Sequence, residues 1–304
     1  MRVGVTGGVG FIGQYLIRDY GDDYDFVVPV RDKSRSVRIE TGARMIESDY
    51  TVDSLKNALQ GCDAVIHLAA KGMPKSRIPL KMEDYMPNVT ASANIFEACK
   101  EIGITNIINV SSKAVWGEQA EPDLLSEEEA PRPGDEYGVS KLCGEALAGF
   151  YNDVYRMKIK SYRMGEVCGL DLSRGMLNPF WKVLLNASVN GKPIPIYGRG
   201  IGGRDLIYVK DVTRALAAGL DKDGKGIYNI GSGRITTNME IAEAFCKVFK
   251  NEAGIESYPE KEEWGTTKCL DVEKAKRELG FEAGYDLFRI VEDIKREYNN
   301  LEIM

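Results

Sequence analysis

Val3-Gly4-Val5-Thr6-Gly7-Gly8-Val9-Gly10-Phe11-Ile12-Gly13 is the stretch on which the fold turns. Val3, Val5 and Thr6 are β-branched and suit a strand. The residues from Phe11 to Tyr20 read as a helix. Between strand and helix stand glycines three apart. Gly7 allows a tight turn, and Gly10 lets a backbone approach a pyrophosphate at the positive end of the helix. Gly13 lets that helix pack closely. The spacing is G-x-x-G-x-x-G rather than G-x-G-x-x-G. Alone it would read as an ordinary strand–helix turn, but the strand before it and the helix after it supply the context of a dinucleotide site.

The alternation continues outward from this turn. Strands are expected at Phe26–Val30, Arg44–Glu47, Ala64–Leu68, Ile104–Val110 and Ile159–Arg163, and helices at Val52–Gln60, Glu83–Glu101 and Glu136–Tyr155. Strands separated by helix-length patterns imply an α/β fold with a doubly wound parallel sheet. Past Gly165 the rhythm breaks. Gly191–Arg204 reads as a loop, and Ile194–Ile196, Leu206–Val209 and Gly226–Ile230 as isolated short strands. Helices are expected near Lys210–Leu220, Asn238–Phe249, Val272–Leu279 and Leu287–Tyr298. The expected organisation is a cofactor-binding domain over 1–164, with some later segments returning to it. A smaller, irregular α/β lobe over 165–304, mainly substrate-binding, closes over the carboxyl ends of the strands.

Composition narrows the function classes. Of 304 residues, 43% are apolar and 28% charged, which excludes disordered and fibrous chains. The net charge is −6, from 40 basic and 46 acidic residues. That balance argues against nucleic acid or an anionic membrane as partner, while leaving room for a phosphate-bearing small molecule. The longest apolar stretches, about eight residues, are too short to span a bilayer. Met1-Arg2 leads straight into the first strand, so no secretory leader is expected. Six cysteines without a C-x-x-C fit reduced thiols in a cytoplasmic protein. The one histidine, His67, ends a buried strand, where a satisfied hydrogen bond is expected, and no metal site is foreseen.

Two clusters carry chemistry. The second strand ends in Val28-Pro29-Val30-Arg31-Asp32. Arg31 stands where an acidic residue would chelate a ribose diol, and an arginine there suits a 2′-phosphate, hence NADP. Asp32, next in line, serves the alternative, NAD. Tyr137-Gly138-Val139-Ser140-Lys141 then sets a phenol and an ammonium one helical turn apart. An ammonium near a phenol stabilises the phenolate and would bring the phenol from about 10 toward neutrality. Such a tyrosinate can take a hydroxyl proton while hydride leaves the same carbon. Ser111-Ser112 follows the fifth strand, where a serine can hydrogen-bond the reacting oxygen.

With these residues in view, the chain resembles the extended short-chain dehydrogenase/reductase family, in its nucleotide-sugar epimerase/dehydratase branch. The resemblance runs over essentially the whole chain. It rests on Thr6–Gly13, Asp63–Ala70, Asn88, Ser111–Gly117, Tyr137–Lys141, Arg163–Gly169, Arg204–Asp211 and Tyr228–Gly233. It implies a Rossmann sheet and an NAD(P) cofactor. Gly7, Gly10, Phe11, Ile12 and Gly13 would hold the pyrophosphate, and Asp49 would touch the adenine. Leu68, Ala69, Ala70 and Asn88 would line the cofactor's path. Tyr137 would be the acid/base, Lys141 its electrostatic partner and ribose ligand, and Ser112 the substrate-oxygen partner. Arg204 matches the arginine that grips the nucleotide diphosphate.

Two positions depart from the family pattern. Ser112-Lys113 stands where dehydratases carry an Asp-Glu pair, which disfavours dehydration. Glu166 stands where an asparagine is common near the diphosphate, and a carboxylate there repels phosphate unless paired or turned away. The expected function is a nucleotide-sugar 4-epimerase, on a UDP-hexose or UDP-N-acetylhexosamine. The alternative is an NADPH-dependent reductase of a nucleotide-linked 4-keto sugar, which Arg31 would suit. A non-catalytic dinucleotide sensor on the same fold is a third reading, opposed by the intact Ser112, Tyr137 and Lys141. Family members commonly pair their two long helices, so a homodimer is expected, with Phe96, Leu142 and Leu147 needing cover.

Overall fold

The computed structural model describes residues 1–32, 42–72, 81–117, 123–172 and 179–303, with side chains to 300. The first part runs β1 (Arg2–Thr6), α1 (Phe11–Tyr20), β2 (Asp25–Val30), β3 (Arg44–Glu47), α2 (Val52–Leu59), β4 (Ala64–His67), α3 (Met82–Glu101) and β5 (Asn106–Ser112). Then come β6 (Leu124–Leu125), α4 (Glu136–Val154), β7 (Lys158–Met164), β8 (Glu166–Cys168), α5 (Pro179–Val189), β9 (Ile194–Tyr197) and β10 (Gly203–Tyr208). The chain closes with α6 (Val209–Leu220), β11 (Gly226–Ile230), β12 (Ile235–Thr237), α7 (Asn238–Phe249), β13 (Ile255–Tyr258), β14 (Cys269–Leu270) and α8 (Leu287–Ile303).

Seven strands form one parallel sheet in the order β11-β7-β5-β4-β1-β2-β3. The order reverses between β1 and β4, and a doubly wound sheet binds its ligand in the crevice at such a point. Both faces are covered, so the strands are apolar nearly throughout. One core layer joins Val3, Val5 and Ile66 to Leu16 of α1 and Leu216 of α6. The other joins Val65, Ile107 and Ile159 to Leu55 of α2, Ile95 and Phe96 of α3, and Ala148 of α4. A third core, around Trp181, Phe245 and Val291, holds α5, α7 and α8 together beside the sheet.

Local chemistry fixes the helix starts. Thr51 caps α2 by accepting from Ser54 N. Asp135 caps α4 by accepting from Gly138 N at 2.7 Å. Thr237 and Glu240 close a capping box at α7. Helix α1 starts without a side-chain cap, as does α6.

Four expectations change. Strand β5 runs on through Ser111 and Ser112 instead of stopping before them, because β7 stays paired as far as Met164. Gly226–Ile230 is not isolated: it is the edge strand β11, parallel to β7 in the large sheet. The helix expected over Val272–Leu279 forms from Glu273, with its last five residues, Ala275–Leu279, wound as a π-helix. Phe96 needs no outside cover, being buried between α3 and the sheet, and Leu142 and Leu147 are partly buried against the chain's own cores.

Candidate active site

The turn after β1 is shaped by close contacts. Gly7 has φ +72°, and a Cβ on it would lie 2.7 Å from Ala69 N. Gly13 is pressed on the same loop, where a Cβ would lie 2.5 Å from Gly8 Cα. Gly10 differs: it is exposed, and a Cβ there would meet only Gly7 O, at 3.1 Å. The open Gly10 and the uncapped N–H groups of α1 make a cradle that fits a pyrophosphate. Phe11 packs edge-on against Tyr15, and Ile12 and Leu68 lie partly buried against the core. Ala69 and Ala70 follow β4 at the mouth of the crevice.

At the end of β2, Arg31 is exposed and its guanidinium lies 5.3 Å from the Tyr50 ring centroid. Asp49 is exposed, and its carboxylate accepts Thr51 N at 2.9 Å and Thr51 Oγ1 at 2.7 Å. These bonds hold it below the usual carboxylate range. Asp49 thus serves α2's start, a local use not foreseen for it. Asn88 is buried and spent on the chain itself: it accepts Lys71 N at 2.7 Å and donates to Lys71 O at 3.0 Å and Ser140 Oγ at 3.2 Å. It fixes the segment after β4 against α3 and α4.

Ser112, Tyr137 and Lys141 come together at the carboxyl end of β5. The Ser112 side chain stands beside the Tyr137 phenol and favours its ionised form. Lys141 Nζ donates to Val110 O at 2.7 Å and lies 5.8 Å from the Tyr137 ring centroid. Tyr85 of α3 packs on Tyr137 with ring centroids 5.9 Å apart. The expected lowering of the phenol is not what this environment produces. Burial pushes Tyr137 up to about 12, with Ser112 opposing and Asp135 and Tyr85 adding. Burial pushes Lys141 down to about 8, with Glu145 opposing. The ammonium is directed at a carbonyl, so it does not offset the desolvation of the phenol.

His67 behaves as a satisfied buried histidine. Its Nδ1 meets Thr6 Oγ1 at 2.8 Å and its Nε2 meets Ser92 Oγ at 3.1 Å. Burial and the nearby Lys141 charge lower it to about 3, so it is neutral.

Arg204, at the start of β10, is buried. Its Nη1 donates to Glu166 Oε1 at 3.2 Å and its Nη2 to Asn238 Oδ1 at 2.9 Å. The guanidinium stacks 4.6 Å from the Phe180 ring centroid, and its Nε, also buried, has no partner in the protein. Neither Asp205 nor Asp211 pairs with it. Asp205 accepts Ser232 N at 2.7 Å and Leu270 N at 3.0 Å, and Asp211 accepts Gly284 N and Tyr285 N at 3.0 Å. Glu166 is therefore the paired carboxylate that the sequence required. It lies two residues past Met164, the partner of Ser112 in the β5–β7 register.

The residues that sequence reasoning passed over are Phe180, Asn238, Tyr85 and Glu145. Only Glu145 left a signal, lying four residues beyond Lys141. Among the described residues there is no group of three or more His, Cys, Asp or Glu placed to hold a metal, and no helix long and apolar enough to cross a membrane.

A family model described as the NAD dependent epimerase/dehydratase family matches residues 3–231. A trifunctional UDP-glucose 4,6-dehydratase, UDP-4-keto-6-deoxy-D-glucose 3,5-epimerase and UDP-4-keto-L-rhamnose reductase of Arabidopsis thaliana is 28% identical over 262 residues. That alignment covers 81% of this chain but only 39% of the plant protein's length. The crystal structure of UDP-N-acetylglucosamine 4-epimerase from Bacillus cereus superposes with TM-score 0.83 at 28% identity, covering 97% of this chain and 95% of the other. UDP-glucuronic acid 4-epimerase from Bacillus cereus, solved with UDP-glucuronic acid and NAD, superposes with TM-score 0.82 at 25% identity. It covers 99% of this chain and 100% of the other.

Proposed function

The chain belongs to the NAD dependent epimerase/dehydratase family, and from that premise we propose that it inverts C4 of a nucleotide sugar, a UDP-hexose or UDP-N-acetylhexosamine. The observation that carries this reading is the Ser112–Tyr137–Lys141 group at the carboxyl end of β5, on the sheet edge that holds the glycine cradle. Bound NAD(P) supplies a hydride acceptor and donor and a positive charge beside the phenol. Tyr137 takes the proton of the 4-hydroxyl and gives it back. Ser112 donates its one hydroxyl hydrogen to the Tyr137 phenolate before the proton moves and to the C4 oxygen after it. Lys141 adds a cation to the cofactor side of the pocket.

The remaining assignments belong to the same proposal. Gly7, Gly10, Phe11, Ile12 and Gly13 hold the pyrophosphate; Leu68, Ala69 and Ala70 wall the crevice, and Asn88 keeps that wall in place. Arg31, stacked on Tyr50, favours the 2′-phosphate of NADP, and Asp49 stands on the adenosine side. Arg204 takes the substrate's diphosphate, and Glu166 turns aside to release it. In this reading residues 1–164 carry the cofactor and 165–304 mainly the substrate, with α6 and β11 returning to the sheet. Apolar side chains left exposed on α3 and α4, Met86, Phe150 and Val154, support a homodimer through these helices. Buried free thiols at Cys62, Cys99 and Cys168 suit the reducing cytoplasm.

The test is turnover without added reductant. UDP-glucose, UDP-N-acetylglucosamine and UDP-glucuronic acid are each incubated with the protein and NAD or NADP, and the C4 epimer is sought by NMR. An epimerase leaves its cofactor unconsumed, whereas a 4-keto sugar reductase uses one NADPH per product. Tyr137→Phe should lower turnover about 10²–10⁴-fold, the usual worth of a general acid/base, while cofactor still binds. Near wild-type turnover in that variant would place the chemistry elsewhere.

A further inference from the structure

Helix α4 carries Tyr137, Lys141 and Glu145 one turn apart. Three consecutive residues at the end of β5 receive them. Ser112 faces the Tyr137 phenol, the Val110 carbonyl accepts Lys141 Nζ at 2.7 Å, and Ser111 Oγ donates to Glu145 Oε1 at 2.6 Å. The third contact is closed from the next strand. Arg163 of β7, the register partner of Ser111, donates to both oxygens of Glu145, with Nη2 at 2.8 Å and Nε at 3.0 and 3.2 Å. The Arg163 guanidinium in turn lies 4.3 Å from the Trp116 ring centroid. Both charged side chains are 2% exposed.

A buried ion pair is weak evidence for stability, because desolvating two charges offsets most of their attraction. This one stands directly behind the reacting residues. We propose that Glu145 is a positioning residue for the catalytic group. It clamps the end of β5 through Ser111, so that Ser112 and the Val110 carbonyl meet Tyr137 and Lys141, and it keeps a carboxylate one turn behind Lys141. The inference rests on the catalytic reading of Ser112, Tyr137 and Lys141. The titratable and charged groups facing this face are few. Tyr137 and Glu145 flank Lys141 on its own helix, His67 faces it from β4 without charge, and Tyr85 faces Tyr137 from α3. Arg163 faces Glu145 from β7.

The test needs no substrate for its first half. Carbon-13 NMR of lysine Cε in the full chain, with Lys141→Met identifying the signal, follows the ionisation of Lys141, which burial pushes down to about 8. Glu145→Gln keeps the size and an acceptor for Ser111 but removes the charge. It should move the Lys141 midpoint down by about one pH unit. With UDP-glucose it should lower kcat about tenfold to a hundredfold, with KM little changed, because misplacement costs rate rather than affinity. Ser111→Ala leaves the ion pair intact and should lower kcat in the same direction. A folded Glu145→Gln with an unmoved Lys141 titration and wild-type kcat overturns the proposal. If Glu145→Gln does not fold, wild-type kcat in Ser111→Ala overturns it. Tyr137→Phe separates the two levels. If it keeps full turnover, the catalytic reading itself falls; if it is inactive while Glu145→Gln and Ser111→Ala match the native protein, only this positioning role falls.

Discussion

His67 is neutral in the folded protein although an unfolded chain would protonate it below about 6.5. Its folded value is lowered to about 3, so between these limits the unfolded state binds the extra proton. Stability should be insensitive to His67 above pH 6.5 and should fall as pH drops from there toward 3. His67→Gln should flatten that part of the profile. Urea unfolding of both proteins at pH 7 and pH 5 measures the difference, and parallel losses would refute it. Arg31 makes a second prediction at this scale. Arg31→Asp should weaken NADP far more than NAD in a titration followed by cofactor fluorescence. A native protein that already prefers NAD would remove the basis for the NADP assignment. Ser112, Tyr137 and Lys141 were legible because a fixed spacing on a helix and a strand end needs no tertiary knowledge. The upward shift of Tyr137 was not legible. It comes from burial beside Tyr85, a residue 52 positions away in the chain, and from a lysine directed at a carbonyl. Glu145 left only its spacing from Lys141, since a glutamate on a helix gives no sign of whether it faces water or an arginine.

Helix α1 shows what one element can reveal. Its bounds, Phe11–Tyr20, were readable because glycines mark its start and apolar spacing carries it onward. The same glycines yield opposite predictions. Gly10 is the N-cap, with φ −84° and ψ 177°, a conformation any residue adopts. Gly10→Val should therefore fold normally and lose NAD(P) binding, because its side chain occupies the cradle. Gly13→Val should fail to fold, or melt far lower, since its Cβ would collide with Gly8 Cα at 2.5 Å. Circular dichroism and cofactor titration distinguish the two, and matching behaviour would refute the cradle. Other elements were unreadable for physical reasons. Helix α5 buries Trp181, Leu184 and Leu185, but its exposed face mixes Val183 and Val189 with Lys182 and Asn186, so its apolar pattern is blurred. Strand β8 is three residues long and exists only because β10 pairs with it. Strand β11 looked like part of the lobe because its place beside β7 is set by a partner 66 residues earlier, Tyr162 for Tyr228.

At the scale of the molecule, the exposed apolar side chains of α3 and α4 decide the association prediction. Phe150 is 50% and Val154 56% exposed, with Tyr155 at the helix end 43% exposed. Covering them would bury a continuous apolar strip, so light scattering at micromolar concentration should give twice the chain mass. Phe150→Glu should shift it to one chain mass; a native monomer would refute the pairing. The Arg204–Glu166 contact has a different consequence for the whole protein. If Arg204 takes the substrate's diphosphate as proposed, Glu166, tethered within reach of it, would act as a built-in competitor at very high local concentration. An incoming anion sees only the fraction of molecules in which the arginine is momentarily released, and its apparent dissociation constant rises by the inverse of that fraction. If that fraction is about one in ten, a nucleotide must be about ten times more abundant to fill the site. On that reading the chain would give up affinity, and occupancy of its pocket would follow the supply of its ligand more closely than an unopposed arginine would allow.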